Sequence, residues 1–191
     1  MRSRLLILIV GLALVAVAPA AAGGSEIGTS GVYSTNPDHS FAAWVPGASS
    51  TLVRTPKGIS ISLQTSNLPA GHAVTVWALI FNNPSACGSG GCDESRGDLG
   101  IPAVIGSVQH VAGHVVGTNG SFAGHLALGD SAHAFVGSGL LNPFGAEIHL
   151  IVRDHGLADP AIITDQFNSD SPRFCNVACA DIQKSVHLPD A

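Results

Sequence analysis

Residues 58–65 read Gly-Ile-Ser-Ile-Ser-Leu-Gln-Thr, and they indicate the fold class more clearly than any other segment. Its apolar side chains occupy every second position, so Ile59, Ile61 and Leu63 point to one side of an extended chain. Because successive side chains of a β-strand point to opposite faces, the alternation predicts a strand that is buried on one face only. Strands of this kind are typical of antiparallel sheets.

Further strands follow along the chain. Residues 73–81 are almost wholly apolar, which predicts a central strand after a turn at residues 67–71. Later strands are predicted at residues 103–116, 121–128, 132–140, 146–153 and 181–188. No segment shows a long period of 3.6 residues with helix caps. The chain is therefore predicted to be all-β, an antiparallel β-sandwich or barrel of about seven to nine strands.

The domain organisation is simple. Residues 51–191 are predicted to form a single β-sandwich domain. Residues 23–50 are rich in Gly, Ser, Thr and Ala, which predicts a loose N-terminal arm with at most a short strand at residues 40–45.

The N-terminus resembles a secretory signal peptide. Arg2 and Arg4 precede an apolar run at residues 5–17, and small residues at 20–22 are typical of a cleavage site. The run is shorter than the roughly 20 residues that span a bilayer, so we predict a cleaved signal over residues 1–22 and no stable membrane anchor. Its removal leaves six basic against 13 acidic side chains, a net charge of −7. The protein is predicted to be secreted, either extracellular or periplasmic.

Composition excludes one class of partner. The whole chain has 8 Lys and Arg residues and only 11% charged residues. So few basic side chains cannot form the positive patch that nucleic-acid binding requires. We therefore expect an unknown small ligand or an extracellular protein as the partner.

Four cysteines, Cys87, Cys92, Cys175 and Cys179, are expected to be oxidised outside the cytoplasm. Their spacing favours two local disulfides, Cys87 with Cys92 and Cys175 with Cys179. The crossed pairings remain open, and a zinc site formed by all four thiolates is the alternative.

Ionisable residues are concentrated in one segment, residues 146–156. On a strand, Glu147, His149 and Arg153 share one face, opposite an apolar face, and Asp154 and His155 follow. One interpretation is a site on the outer face or rim of the sheet, where Glu147 and His149 act as ligands or as an acid–base pair and Arg153 holds an anionic group. The other is a structural network in which Arg153 pairs with an acid on a neighbouring strand.

A second set of histidines lies near the Asn119–Gly120 dipeptide, a strong hairpin signal. A two-residue turn there would pair residues 115–118 with 121–128 and place His114 opposite His125. Bulges are expected at Gly106 and Gly113, which precede this turn. Facing imidazoles could bind a divalent metal, or they could form an exposed polar stripe.

The sequence blocks at 71–77 (Gly-His-Ala-Val-Thr-Val-Trp), 81–84 (Phe-Asn-Asn-Pro), 146–150 (Ala-Glu-Ile-His-Leu) and 153–156 (Arg-Asp-His-Gly) resemble a family of secreted bacterial β-rich proteins of unknown function. The tail from Cys175 through Asp181, Gln183 and His187 is similar to theirs. This resemblance implies a secreted β-rich domain and supplies no catalytic residues. A weaker likeness is to chordin-type and copper-zinc superoxide dismutase-like β-sandwiches. The dismutases carry a His-x-His strand pair, which this chain does not have.

Three functional hypotheses follow. The first is a secreted, non-catalytic β-sandwich binding module, with a small-ligand pocket lined by Trp77, Glu147 and Arg153. The candidate ligand-binding residues are these three together with His149, Asp154 and His155. The second is a metal-binding protein that holds zinc or copper. Its candidate ligands, besides Glu147, are His149, His155, His187, His114 and His125. The third is a hydrolase or isomerase with Glu147 and His149 as acid and base. No nucleophile elbow, zinc-protease motif or nucleotide-binding loop is present.

Overall fold

The computed structural model describes residues 24–168, 175 and 179–189. The predicted signal peptide at residues 1–22 lies outside these residues. Nine strands are found in the described part of the chain. They are β1 (Glu26–Thr35), β2 (Phe41–Thr55), β3 (Gly58–Ser66), β4 (His72–Phe81), β5 (Gly106–Val115), β6 (Asn119–Ala127), β7 (Ala134–Val136), β8 (Glu147–Leu157) and β9 (Ala180–His187). A short helix, α1 (Ile163–Asn168), and three 3₁₀ turns, Pro84–Ala86, Glu94–Arg96 and Asp98–Gly100, complete the secondary structure.

The strands form one curled sheet in the order β6-β3-β2-β1-β9-β8-β4-β5-β7. Every strand pair is antiparallel. The last strand, β9, lies between β1 and β8, so the end of the chain ties the N-terminal strands to the central ones. The prediction of an all-β antiparallel fold is confirmed.

The main core fills the inner, concave side of the sheet. In β3 the three apolar side chains of the alternating stretch are buried, while the intervening serines are exposed. In β8, Ile148, Leu150 and Val152 are fully buried in the same core. Both period-2 patterns therefore predicted the core-facing side of the strand correctly. An antiparallel strand that covers a core on one side must alternate in this way.

The prediction of a loose arm at residues 23–50 is wrong for the described residues from Gly24 onwards. They form β1 and most of β2, which pair with each other and with β9 and β3. Only Val32, Val45 and Ala48 of this segment belong to the main core. Because backbone hydrogen bonds to the neighbouring strands hold this stretch and few of its side chains are buried, its sequence shows little hydrophobic periodicity.

The predicted hairpin at Asn119–Gly120 is also wrong. Both residues belong to β6, where they pair with Ser66 and Thr65 of β3. Phe122 and Leu126 of β6 are buried in the main core with the apolar side chains of β3. This long-range burial outweighs the local turn preference of the dipeptide. The bulge of β5 is likewise not at Gly106 or Gly113, because the register with β4 shifts between Ala112 and His110.

The sheet curls until strand β5 approaches strand β6 without pairing to it. A Cβ placed on Gly124 of β6 would lie 2.6 Å from Cγ1 and 2.7 Å from the carbonyl oxygen of Val111 in β5. His114 of β5 stacks on Phe122 of β6, with ring centroids 4.4 Å apart. Glycine is therefore required where the two strands meet.

We expect Gly124→Ala to lower the free energy of unfolding by about 1–3 kcal/mol, because overpacking forces β5 and β6 apart. Urea denaturation measures the change. Gly117→Ala is the matched control, since a Cβ at Gly117 would meet no atom within 4 Å. Equal stability of the two variants would contradict the close approach of the strands.

A second, smaller layer covers part of the outer, convex face. The segment 82–105 folds over β4 and β8 and buries Phe81, Cys92 and Val104. The Cys87–Cys92 disulfide lies within this segment. No helix among the described residues is long and apolar enough to cross a membrane.

Candidate functional site

The outer face of β8 carries the side chains that the sequence singled out. Glu147, His149, Ile151 and Arg153 alternate with core residues, as predicted. Glu147 and His149, however, are only 3% and 1% exposed. They do not lie on an open rim, because the segment 82–105 covers them and the backbone N–H of Cys92 donates a hydrogen bond to Glu147.

Beneath this cover, four ionisable side chains form a buried network. His149 Nε2 lies 2.7 Å from Glu147 Oε1, and His149 Nδ1 lies 3.0 Å from Glu94 Oε2. The Nζ of Lys184 donates a hydrogen bond of 2.7 Å to the other oxygen of Glu94. Two acidic and two basic groups thus neutralise each other away from water, as buried charges must.

The network shifts the pKa of two of its members, His149 and Glu94. Burial lowers the pKa of His149, but the hydrogen bonds to Glu147 and Glu94 outweigh burial and the net pKa is raised. Burial raises the pKa of Glu94, yet its hydrogen bonds with His149 and Lys184 bring that pKa down to about 2. Because an ionised carboxylate only accepts hydrogen bonds, two carboxylates around one ring favour the doubly protonated imidazolium.

A cleft opens on the outer face beside this network, with a volume of about 220 Å³. Trp77 and Ile151, which are paired across β4 and β8, line it. The remaining lining residues are His39, Leu79, Glu94, Val108, Arg153 and Asp181. Glu94 therefore connects the buried network to the cleft.

Arg153 lies at one side of the cleft and forms a bidentate ion pair with Asp181 of β9. His39, in the turn between β1 and β2, contacts the same carboxylate at 3.2 Å. The sequence left open whether Arg153 pairs with an acid on a neighbouring strand or lines a site. In the structure Arg153 does both, because it pairs with Asp181 on β9 and also lines the cleft.

The other candidates lie apart from the cleft. Asp154 contacts His72 and accepts a hydrogen bond from the backbone N–H of Gly156. His155 is fully buried, with Nε2 2.7 Å from Thr75 Oγ1. His187 lies on the core side of the sheet, with Nε2 2.7 Å from Ser50 Oγ. His149, His155 and His187 therefore do not converge.

The predicted pair of His114 and His125 is not formed. His114 is paired with Val74 of β4, and His125 is paired with Ser60 of β3. The facing arrangement required a hairpin between β5 and β6, and these strands do not pair.

Within the described residues, one group offers three donor atoms that lie within 4.8 Å of one another, and it consists of His155, Cys175 and Cys179. The two cysteines are joined in a disulfide, as are Cys87 and Cys92. The local pairing of the cysteines is thus the one observed. The disulfide engages both sulfur atoms, and the two ring nitrogens of His155 already lie 2.7 Å from Thr75 Oγ1 and 3.4 Å from Cys179 Sγ.

Sequence reasoning missed several residues of the site: Glu94, Lys184, Asp181 and His39. Glu94 is 55 residues from His149 and 90 from Lys184 along the chain. No local pattern links such distant positions. One weak signal was available, since Lys184 is one of only two lysines in the chain.

Comparisons with known proteins add no further assignment. A scan of family models, a search of curated proteins and a search of solved structures found no match to this chain. The function must therefore be argued from the cleft itself.

Proposed function

We propose that the protein is a secreted, non-catalytic binding module that takes a small polar ligand in the outer-face cleft. The observation that carries this proposal is the lining of the cleft. Trp77 and Ile151 line the cleft with the small apolar areas that they leave exposed, 4% and 3% of each residue, while Arg153, Asp181 and Glu94 offer polar groups around them. Ligand sites commonly combine an apolar lining with a few placed polar groups.

The charge states favour binding over acid–base catalysis. A general acid or base works best when its pKa lies near the operating pH. Glu94 is the member of the network that lines the cleft, and its pKa of about 2 keeps it a carboxylate that accepts hydrogen bonds. Both ring nitrogens of His149 are engaged by carboxylates, so neither is available to a substrate.

We further propose that the protein is exported and belongs with the secreted bacterial β-rich family that its sequence blocks resemble. The signal-like residues 1–22 and the two disulfides support export. N-terminal sequencing of protein recovered outside the cytoplasm is expected to begin directly after the predicted signal. Recovery of the intact N-terminus from the cytoplasm would contradict export.

The cleft proposal is tested with the tryptophan indole N–H signals in a ¹H–¹⁵N spectrum. The chain has two tryptophans, and Trp77 lines the cleft. Monosaccharides, amino acids and dicarboxylates serve as probes. We expect at least one class to shift the Trp77 signal in a saturable manner, because the indole forms part of the cleft wall.

The matched variants are two valines of β5. Val108→Phe fills the cleft and is expected to abolish the shift, whereas Val115→Phe adds the same ring to an exposed position away from it. If no class of probe moves the Trp77 signal at millimolar concentration, or if Val108→Phe leaves the shift intact, the proposal fails.

A further inference from the structure

We infer that the ligand of the cleft is a neutral oligosaccharide, which extends from the cleft onto an aromatic surface of the β1–β2 hairpin. This inference rests on the proposed function and assigns its ligand class. It begins from a row of directly paired residues that crosses the outer face from β2 to β5. The row consists of Trp44, Tyr33, Lys184, Ile151, Trp77 and His110.

Directly paired residues of antiparallel strands point to the same face of a sheet. Trp44 and Tyr33 therefore share a face with the cleft residues Ile151 and Trp77. The neighbours Val45 and Val32 in the same strands are buried in the core, which confirms that the aromatic rings point outwards. Four strand spacings of about 4.8 Å separate Trp44 from Trp77, which is roughly 19 Å along the sheet. In this row Lys184, Ile151 and Trp77 are only 5%, 3% and 4% exposed, so a ligand can reach the cleft at one end and the exposed hairpin rings at the other. A ligand that contacts both ends must be longer than a single sugar ring.

The hairpin aromatics are exposed. Trp44, Phe41 and Tyr33 retain 56%, 50% and 38% of their surface in contact with solvent. Both tryptophans and the only tyrosine of the chain lie on this face, in a sequence with only 5% aromatic residues. A soluble domain gains nothing in stability from rings left in water, so their placement indicates a binding surface.

These rings are also held in place. Phe41 packs edge-on against Tyr33 with centroids 5.2 Å apart, and the Nζ of Lys184 lies 5.2 Å from the Phe41 centroid. A Cβ on Gly31 would lie 3.3 Å from the Tyr33 ring and 3.5 Å from Trp44, so glycine lets both rings lie close to the strand. Fixed rings lose little conformational entropy when a ligand stacks on them.

The polar groups of the cleft favour a neutral ligand. Arg153 is paired with Asp181, and Glu94 is paired with Lys184 and His149. Such pairs present hydrogen-bond donors and acceptors together without a net charge that would attract an ion. Sugar hydroxyl groups both donate and accept hydrogen bonds, and the C–H faces of sugar rings pack on aromatic rings. Stacking surface and balanced polar groups therefore point to the same ligand class.

The test is titration with neutral cello-, xylo-, chito- and malto-oligosaccharides, from monomers to hexamers. Indole signals report on Trp77 in the cleft and on Trp44 in the hairpin, and calorimetry gives the affinity. We expect one family to shift both signals and to bind more tightly as the chain lengthens. Trp44→Ala is expected to weaken binding of the hexamer by roughly tenfold, the loss of one aromatic contact, without changing the affinity for the monomer.

Two controls accompany this variant. Trp44→Phe keeps a stacking ring and should retain most of the affinity, while Ile27→Ala removes an exposed apolar side chain elsewhere on β1 and should have no effect. If only non-saccharide probes shift the Trp77 signal, the saccharide inference is overturned and the cleft proposal stands. If saccharides bind without any dependence on length or on Trp44, the extension over the hairpin is overturned. If no compound shifts Trp77, both proposals fail.

Discussion

Replacement of Lys184 by Met is expected to lower the free energy of unfolding by about 3–5 kcal/mol, because it removes one partner from a buried ionic network. Lys184 donates to Glu94, and both side chains are almost completely buried. Without the ammonium group, the network holds two carboxylates against a single imidazolium. Chemical denaturation at neutral pH measures the loss.

The chain supplies its own control for this variant. Lys57 is the other lysine, and it is exposed in the turn between β2 and β3. Lys57→Met is therefore expected to change stability by no more than about 0.5 kcal/mol. Adding Glu94→Gln to Lys184→Met removes the uncompensated negative charge and should recover part of the loss. A Lys184→Met protein as stable as Lys57→Met would show that the network contributes nothing to the fold.

Acidification from pH 7 to pH 4 is expected to destabilise the protein through two buried histidines. Burial, together with Arg54 and His149, lowers the pKa of His187 to about 4, and burial with Arg153 lowers that of His155 to about 4. At a pH between 4 and 6.5, these two histidines are protonated in the unfolded chain, where their pKa is about 6.5, but not in the native state. The contribution of these two histidines is therefore complete above pH 6.5 and is lost as the pH falls towards 4, by at most about 3 kcal/mol for each histidine.

His149 acts in the opposite direction. Its pKa is raised in the folded state, so its contribution is complete at low pH and is lost as the pH rises through that folded pKa. His187→Gln is the informative variant, because the amide can still bond to Ser50 but does not titrate. We expect a flatter dependence of the unfolding free energy on pH than in the parent protein. If the unfolding free energies of His187→Gln and the parent protein depend on pH in the same way, His187 does not cause the loss of stability at low pH.

The fold could be predicted from the sequence where a strand faces the core on one side only. This holds for β3 and β8, whose alternating side chains identify the buried face without knowledge of their partners. It fails for β1, where the strand buries little apolar surface and backbone hydrogen bonds supply the order. It fails again at Asn119–Gly120, because burial of Phe122 against β3 is a long-range effect that a dipeptide cannot report.

Only the part of the candidate site whose residues are close together in the sequence could be predicted. The sequence correctly grouped Glu147, His149 and Arg153 on one face of β8, and it named Trp77 as a pocket residue. It could not foresee that segment 82–105 buries Glu147 and His149 while leaving Arg153 at the cleft. That division depends on Glu94 and Lys184, which reach β8 from distant parts of the chain.

Because Lys184 is buried, the two lysines of this protein differ in chemical reactivity. Acylating reagents and activated resins require a free, accessible amine, and Lys57 is the lysine side chain that offers one. It lies at the far end of β2 from the aromatic hairpin. Coupling through the Lys57 side chain, with the α-amino group of the chain blocked, would therefore attach the protein by the end of β2 that lies away from the aromatic hairpin.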